Sequence, residues 1–553
     1  MPALALFAFA LTLRLLFWWA GPDGGPGWHL ACQGDAPVWQ QLARNLATHT
    51  PNDELRLPWR APGMQWLVAA LWDGDPSRAF ALRLGSVLAG AMLAPLCWWC
   101  LRPCLPARTA LLAAGLCAAA TNLILLASGL HVEGFYLLLA LAALRAQAGL
   151  GGPQPIRAAF ALGALHAAAC LLRSEHLLTV LLLFAFAART ASQRRPLALA
   201  ATTLVLCLLP WQLHANHLVD TYNGTGQPPP TLPRATLPWA PEALEAVRKL
   251  PAFQQAPVFG FVQDTVRTRG GTSIAKRDLS IVREAYGCWP EPLPHALLCL
   301  YGGLNFWLAN TPEANGGFSR AALDRPPPLQ GGEARYPPGL RAVLPRGGQL
   351  AFGYPRHLDA VVHGYRLGLT ELLADPIGSV SRIARKLWHA AAGATGGLGG
   401  TNLPIGLSGT RRAVDLVVPE GIFAQAWRVL VLGVAAFGWW RLRAVRGLWP
   451  LWLFAASKLL VVALFFGYAR HGAQCLPAVA VGVAAALEGL FGRWPSLGRV
   501  RHGLLGMALL LLLEGVRGVC GVSGTLDGQV VRGSEPFGAH DFTTRQVTFE
   551  LGR

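Results

Sequence analysis

Residues 145–195 read Arg145-AQAGLGGPQPI-Arg157-AAFALGALHAAACLL-Arg173-Ser174-Glu175-His176-LLTVLLLFAFAA-Arg189-TASQ-Arg194-Arg195. Two apolar runs are bounded by arginine-rich joints, and one short polar joint, Arg173-Ser174-Glu175, divides them. The same alternation extends in both directions along the chain. Every second joint is basic: Arg102 and Arg108; Arg145 and Arg157; Arg189, Arg194 and Arg195; Arg441, Arg443 and Arg446; Arg493, Arg499 and Arg501. The short joints between them carry only Arg173 and Arg470. This is the positive-inside asymmetry of a polytopic membrane protein. Nothing in that rule asks for Arg173 or Arg470 on the far side, which marks the far side as the working face.

Composition agrees. The chain has 553 residues, 53% of them hydrophobic and 14% charged, where a soluble domain carries about a quarter charged residues. Its mean hydropathy is +0.38. The net charge of +18 sits at span ends, without a basic patch interleaved with aromatics, so nucleic acid is not an expected partner. The basic excess orients the chain and meets anionic membrane lipids. Most of the eleven cysteines lie in apolar runs, where a thiol packs as a small hydrophobe. Cys97, Cys100 and Cys104 have a metal-like spacing but straddle a span end with no histidine nearby, which favours packing. Cys288 and Cys299 fall in an external segment where a disulfide is one of the options.

A bilayer core needs about 20 apolar residues per helix. By that measure about 11 transmembrane helices are expected, over roughly 3–20, 80–101, 107–127, 131–149, 157–172, 175–190, 196–213, 423–440, 449–468, 472–490 and 501–520. Residues 1–20 are read as an uncleaved first span because they lack a basic leader and carry Arg14. The expected class is an all-α polytopic membrane protein with a mixed extracytoplasmic loop domain. Its parts are an N-terminal transmembrane module, 1–213, with a first external loop at 21–78; a large external loop region, 214–422; C-terminal spans, 423–520; and an external tail, 521–553. Within the loops, helices are expected around 241–250 and 358–374, the latter running on after Pro376 towards Trp388. The apolar stretch 64–72 suits the interface. No strand alternation is evident in the loops.

Asp35, in Gly34-Asp35-Ala36-Pro37, follows the first span and precedes an apparent amphipathic helix. A carboxylate just above a bilayer is well placed as a general base; a plain helix cap is the competing reading. Glu133 opens the fourth span. An acid entering an apolar helix is a functional candidate, although the helix dipole alone also favours it there. Arg173 pairs either with a phosphate, through its planar fork of donors, or locally with Glu175. Arg470 reads as a second phosphate ligand or as a headgroup contact. Lys386, after Asp375-Pro376, is a third candidate cation. Asn305, Asn310 and Asn315, set among Phe306, Trp307 and glycines, suit either a sugar or a turn cluster. The triplet Asn223-Gly224-Thr225 is an acceptor sequon of a kind common by chance.

Taken in order, these segments resemble the GT-C membrane glycosyltransferases, in particular the group of the lipid A aminoarabinose transferase, the protein O-mannosyltransferases and the rhizobial lipopolysaccharide glycosyltransferases. The resemblance rests on Gly34-Asp35-Ala36, Trp59-Arg60-Ala61-Pro62-Gly63, Glu133, Arg173-Ser174-Glu175, Leu209-Pro210-Trp211, Gly303-Leu304-Asn305 through Asn310-Thr311-Pro312, Asp375-Pro376 with Lys386, and Arg470 before Leu476-Pro477. It departs from the group after Pro-Trp, where His214-Ala215 stand in place of Arg-Asn, and at Tyr468-Ala469-Arg470, where Arg-Tyr-Arg is usual.

The resemblance implies a GT-C fold and a polyprenyl-phosphate-sugar donor. It also implies inverting transfer of a hexose or pentose to a lipid, glycan or protein hydroxyl on the periplasmic face of a bacterial inner membrane. Asp35 and Glu133 would be catalytic, with Asp35 the base. Arg173, Arg470 and Lys386 would meet the donor phosphate, and Trp59, Arg60, Glu175, Asn305 and Asn310 the sugar or acceptor. No obligate metal is expected; Mg²⁺ or Mn²⁺ held by the two acids is the alternative. The competing classes are a lipid-linked glycan flippase or transporter, towards which Lys458 inside a span leans, and an O-antigen-type polymerase or ligase.

Overall fold

The structure, a computed structural model, describes residues 2–19, 39, 42–43, 45–46, 57–72, 79–128, 131–225, 230–286, 289–317, 321–324, 350, 355–395, 404–406, 413–415, 422–491, 523–526 and 529–532. They are mostly helical. Five described helical stretches are long and apolar enough to cross a membrane: Phe80–Leu101, Val132–Gly151, Pro155–Leu172, Ala191–Asn223 and Arg446–Leu464. Four shorter apolar helices, Pro2–Leu16, Ala107–Ala119, His176–Ala187 and Leu476–Leu490, occupy other expected spans, and Ile422–Leu442 forms a further helix. The span expected over 501–520 lies outside the described residues.

The helix Val132–Ala148 packs between Ala79–Leu101 and Pro155–Leu172, and Pro155–Leu172 packs in turn on Arg194–Asn223. The last contact is close because Gly163 has no side chain: a Cβ there would fall on the Ala200 carbonyl and Thr203. Small residues at such crossings let helix backbones approach inside a bilayer, where lipid tails are as apolar as the side chains. The shared core includes Leu93, Leu123, Tyr136, Leu141, Phe454 and Val481. Cys97 sits in this core with its sulfur 4.0 Å from Cys117, the environment of a packed thiol.

Two expected spans take a different form. The helix expected to end near 213 runs from Arg194 to Asn223, through Pro210. Its buried face continues past the proline at Trp211, Ala215 and Val219, which sustains the helix. At 1.5 Å per residue, about 45 Å of helix exceeds the roughly 30 Å of bilayer hydrocarbon, so it is longer than one crossing requires. It ends at Gly224, whose φ of 79° is left-handed and whose N–H donates to the Asp220 and Thr221 carbonyls. Asn223 is tied down: its amide donates to the Leu293 carbonyl at 2.9 Å and accepts from the Leu293 N–H at 3.0 Å.

The span expected over 107–127 is broken. Ala107–Ala119 ends at Ala120, which is extended (φ −64°, ψ 116°), and Thr121–Ser128 resumes the helix. Arg14, fully buried, donates through Nη1 to the Ala118 carbonyl (3.2 Å) and to Ala10 (3.0 Å). A guanidinium at a helix C-terminus meets carbonyls that the break leaves without helical partners.

Pro241–Arg248, Ala252–Thr268 and Ser280–Tyr286 share a small core of their own, formed by Val247, Val258, Phe259, Val262 and Val282. Pro355–Val362, Gly364–Ala374 and Pro376–Ala394 match the expected run of helices. Asp375 caps the last by accepting the Gly378 N–H at 2.9 Å. The stretch 64–72 lies largely in the helix Gly63–Leu71. The loop region and the tail also carry short strands: Pro404–Gly406 pairs antiparallel with Ala413–Asp415, and Ser523–Leu526 with Gln529–Arg532. At three or four residues each, these strands are too short for an alternating pattern to register.

Candidate functional site

Three chain segments meet at the end of the bundle where the non-basic joints lie. The first is the start of Val132–Ala148, which carries Glu133 in its first turn. The second is the joint 173–175, left between the helices Pro155–Leu172 and His176–Ala187. The third is the short helix Ala469–Ala473, which carries Arg470. Its approach depends on missing side chains: a Cβ on Gly472 would fall on the Ala390 carbonyl, and one on Gly393 would fall on the Ala469 carbonyl. Pro376–Ala394 and Ala469–Ala473 therefore lie backbone to backbone.

Glu133 is the centre. Its side chain is 2% exposed, and its Oε1 lies 2.6 Å from Arg173 Nη1 and 4.0 Å from Arg470 Nε. Arg173 also pairs through Nε with Glu175. The other Glu133 oxygen, Oε2, is buried without a hydrogen-bond partner among the described residues. Burial works against the Arg173 charge, but Glu175 and Glu133 outweigh it and hold the guanidinium's proton above the ordinary arginine range. Arg470 also lies over the Tyr468 ring, 5.1 Å from its centroid. His471 is held down to about 4 by burial and by Arg173 and Arg470, so it is neutral at pH 7. Its Nδ1 lies 3.0 Å from the Phe466 carbonyl, which places the proton on Nδ1.

The first external loop docks beside this joint. The Leu300 N–H donates to the Pro58 carbonyl at 2.8 Å, and Cys299 directs its thiol at Ser174 Oγ, 3.2 Å away. Trp59 packs edge-on to Tyr301 at 5.8 Å, and the Arg60 guanidinium lies over Trp39 and Tyr301 at 5.3 and 5.8 Å. Cys299 is a free thiol, and Cys288 lies outside the described residues.

Of the residues singled out from sequence, Glu133, Arg173, Glu175 and Arg470 form one cluster, with Trp59 and Arg60 adjoining it through Cys299 to Tyr301. Asp35 lies outside the described residues. Lys386 is directed elsewhere: its ammonium donates to Asn310 Oδ1 at 2.8 Å and to the Ala463 carbonyl at 3.3 Å. Burial, helped by Arg382, holds it down to about 7. Asn310 is committed to this contact and to the Phe306 and Leu464 carbonyls. Asn315 accepts the Gly317 N–H in a turn, whereas Asn305 Oδ1 is buried without a partner among the described residues. Sequence reading passed over Tyr136, one turn below Glu133, and the histidines His166 and His176 behind it. A polar residue at helical spacing from Glu133 was the available signal.

Among the described residues, no group of three His, Cys, Asp or Glu side chains is placed to hold a metal. Two guanidinium groups facing Glu133 also oppose a divalent cation at that carboxylate.

No protein-family model and no curated protein matches the chain. Among solved structures it is similar to the archaeal oligosaccharyltransferase AglB from Archaeoglobus fulgidus in complex with an inhibitory peptide and a dolichol-phosphate. That match has 14% identity and a TM-score of 0.41 over 94% of this chain and 54% of the other. It is also similar to ArnT from Cupriavidus metallidurans bound to undecaprenyl phosphate, with 14% identity and a TM-score of 0.31 over 88% of this chain and 78% of the other. The chain thus spans about 54% of the length of the archaeal enzyme. Both are GT-C membrane glycosyltransferases, the group that the ordered motifs resemble. At these TM-scores the likeness assigns this chain neither a fold nor an activity.

Proposed function

We propose that the protein moves a hexosyl or pentosyl group from a polyprenyl-phosphate donor to a hydroxyl of a lipid, glycan or protein acceptor. The reaction takes place at the periplasmic face of a bacterial inner membrane, in a GT-C arrangement of about eleven spans. The observation that supports this most is the convergence of Arg173 and Arg470, from joints far apart in sequence, on one buried Glu133 oxygen. A positioning rule for membrane charge does not need them there; an anionic lipid substrate does.

The acceptor oxygen attacks the anomeric carbon, the bond from that carbon to the phosphate oxygen breaks, and polyprenyl phosphate leaves with the electron pair. The acceptor proton passes to a carboxylate, a step that contributes roughly 10²–10⁴-fold. Asp35 is the base in this reading. Glu133 offers Oε2 to orient the acceptor hydroxyl. Arg173 already holds two carboxylates, so the charge developing on the leaving phosphate falls chiefly to Arg470, with Arg173 in support. Lys386 contributes as a third cation when protonated. Trp59, Arg60, Glu175 and Asn305 border the sugar and acceptor, and Asn310 orients Lys386. The guanidinium groups supply the charge that Mg²⁺ or Mn²⁺ would otherwise bring, and no metal is required.

A second reading, a lipid-linked glycan flippase, draws on the broken helix at Ala120 with Arg14 at its end, since interrupted spans line many transport paths. One experiment separates the two. The purified protein in nanodiscs is given labelled polyprenyl-phosphate sugars and envelope glycolipids. Covalent transfer that is lost in Asp35→Asn supports the transferase. Translocation in sealed vesicles without transfer supports the flippase.

A further inference from the structure

On the membrane side of the Arg173–Glu175 joint lies a buried polar assembly that the proposed displacement does not use. Lys458 belongs to the helix Trp449–Leu464 and is 3% exposed. Its Nζ has no hydrogen-bond acceptor among the described residues. It stands over the Tyr136 ring, 4.6 Å from the centroid, and 5.7 Å from that of Phe454. The same Tyr136 ring carries the Arg173 guanidinium at 5.9 Å. The Tyr136 hydroxyl is 2.7 Å from His176 Nδ1, and His176 Nε2 is 2.9 Å from His166 Nδ1, so the ring is held from behind by two buried imidazoles. Thr179 Oγ1, 2.7 Å from Ser457 Oγ, ties the helix His176–Ala187 to the residue before Lys458.

An ionisable group inside a span is expensive and calls for a compensating partner. The charged groups near Lys458 are Glu175 and Arg173 from the joint, and the neutral thiols of Cys170, from Pro155–Leu172, and Cys475 lie close by. His166 and His176 complete the surroundings of Tyr136. Glu175 is the carboxylate among these groups. The aromatic face is therefore the contact that Lys458 has in exchange for water. Tyr136, by contact with its guanidinium, and Glu175, by direct pairing, set the position of Arg173.

We propose that Lys458 is a positioning residue of the candidate site: from inside the bundle it fixes the Tyr136 ring, and Tyr136 and Glu175 together fix the plane in which Arg173 meets a lipid phosphate. This rests on the lipid-phosphate reading given above. Lys458 touches neither donor nor acceptor.

The test uses the full chain in nanodiscs, with undecaprenyl phosphate as the probe and binding measured separately from transfer. Lys458→Met should weaken undecaprenyl-phosphate binding by about tenfold and raise the donor KM more than it lowers kcat. Lys458→Arg, which keeps the charge, should restore most of the binding. In the Lys458→Met, Glu175→Gln double variant the losses should fall short of the product of the single losses, because both act through Arg173. Wild-type affinity in Lys458→Met overturns the inference. So does Lys458→Arg binding as weakly as Lys458→Met, because the role would then be packing. If Lys458→Met does not fold, Tyr136→Leu, which removes the aromatic face and leaves the ammonium, should weaken binding; unchanged binding there overturns the inference equally. A wild-type protein that binds no undecaprenyl phosphate overturns the functional reading itself, which is a different result from any of these.

Discussion

Replacing Glu133 by leucine leaves Arg173 and Arg470 facing each other without the carboxylate between them. The side chains of Glu133 and Arg173 are 2% and 13% exposed, so this is a buried pair and little solvent screening applies. Removing one partner of a buried pair costs about 3–5 kcal/mol. Arg173 keeps Glu175 as a second partner, which places the expected loss at the lower end, about 3 kcal/mol. Arg173→Met should cost more, towards about 5 kcal/mol, since it takes the cation from Glu175 and leaves Glu133 with Arg470 at 4.0 Å. The double variant replaces both charges by apolar groups and should recover part of the loss, with a coupling of about 1–3 kcal/mol. The assay is equilibrium unfolding of all four proteins in the same detergent, followed by tryptophan fluorescence. Additivity within about 0.5 kcal/mol would show that the two side chains do not interact, and the cluster as described would be wrong.

Lys386 sets a pH dependence. Burial holds its ammonium to about 7 in the free protein, and a bound phosphate favours the protonated form. The Lys386 contribution to donor affinity should therefore be present below pH 7 and decline as pH rises above it. A donor titration series should show that decline in wild type and lose it in Lys386→Met; a decline that persists in the variant assigns it to another group. Gly472→Val places side-chain atoms on the Ala390 carbonyl, so it should destabilise the packing under Arg470 by about 1–3 kcal/mol and abolish transfer. A variant with the thermal stability and turnover of wild type would contradict that close approach. Burial pushes the Cys299 thiol up, so a charged maleimide should label it slowly in the folded protein and rapidly after denaturation. Equal rates in both states, read by mass spectrometry of the peptide, would place the thiol in solvent.

The positions of Glu133, Arg173 and Arg470 were legible because each breaks a simple rule: an acid opens an apolar helix, and two arginines stand on the side where orientation asks for none. That Arg173 and Arg470 would meet at one phosphate followed from the resemblance, but the helix crossings beneath them, such as the close approach that Gly393 and Gly472 allow under Arg470, were not legible, because no local pattern encodes which helices cross. Lys386 was legible as a cation near the membrane, but its company was not: in the free protein its ammonium meets Asn310 and a carbonyl at the end of the helix Trp449–Leu464. Lys458 was read as a charge inside a span that leans towards a transporter. It stays buried because Tyr136 supplies an aromatic face at the same depth. The break at Ala120 left no mark in an alanine-rich run, because nothing but the distant Arg14 distinguishes it.

The most direct measurement is single-turnover transfer from a labelled polyprenyl-phosphate sugar by the nanodisc-embedded protein, alongside Asp35→Asn and Arg470→Ala. The account predicts a labelled acceptor and free polyprenyl phosphate in equal amounts with wild type. It also predicts no detectable transfer with Asp35→Asn, and a loss of about 10²-fold or more with Arg470→Ala. Wild-type rates in both variants, or a wild-type protein that neither binds nor cleaves the donor, would contradict it.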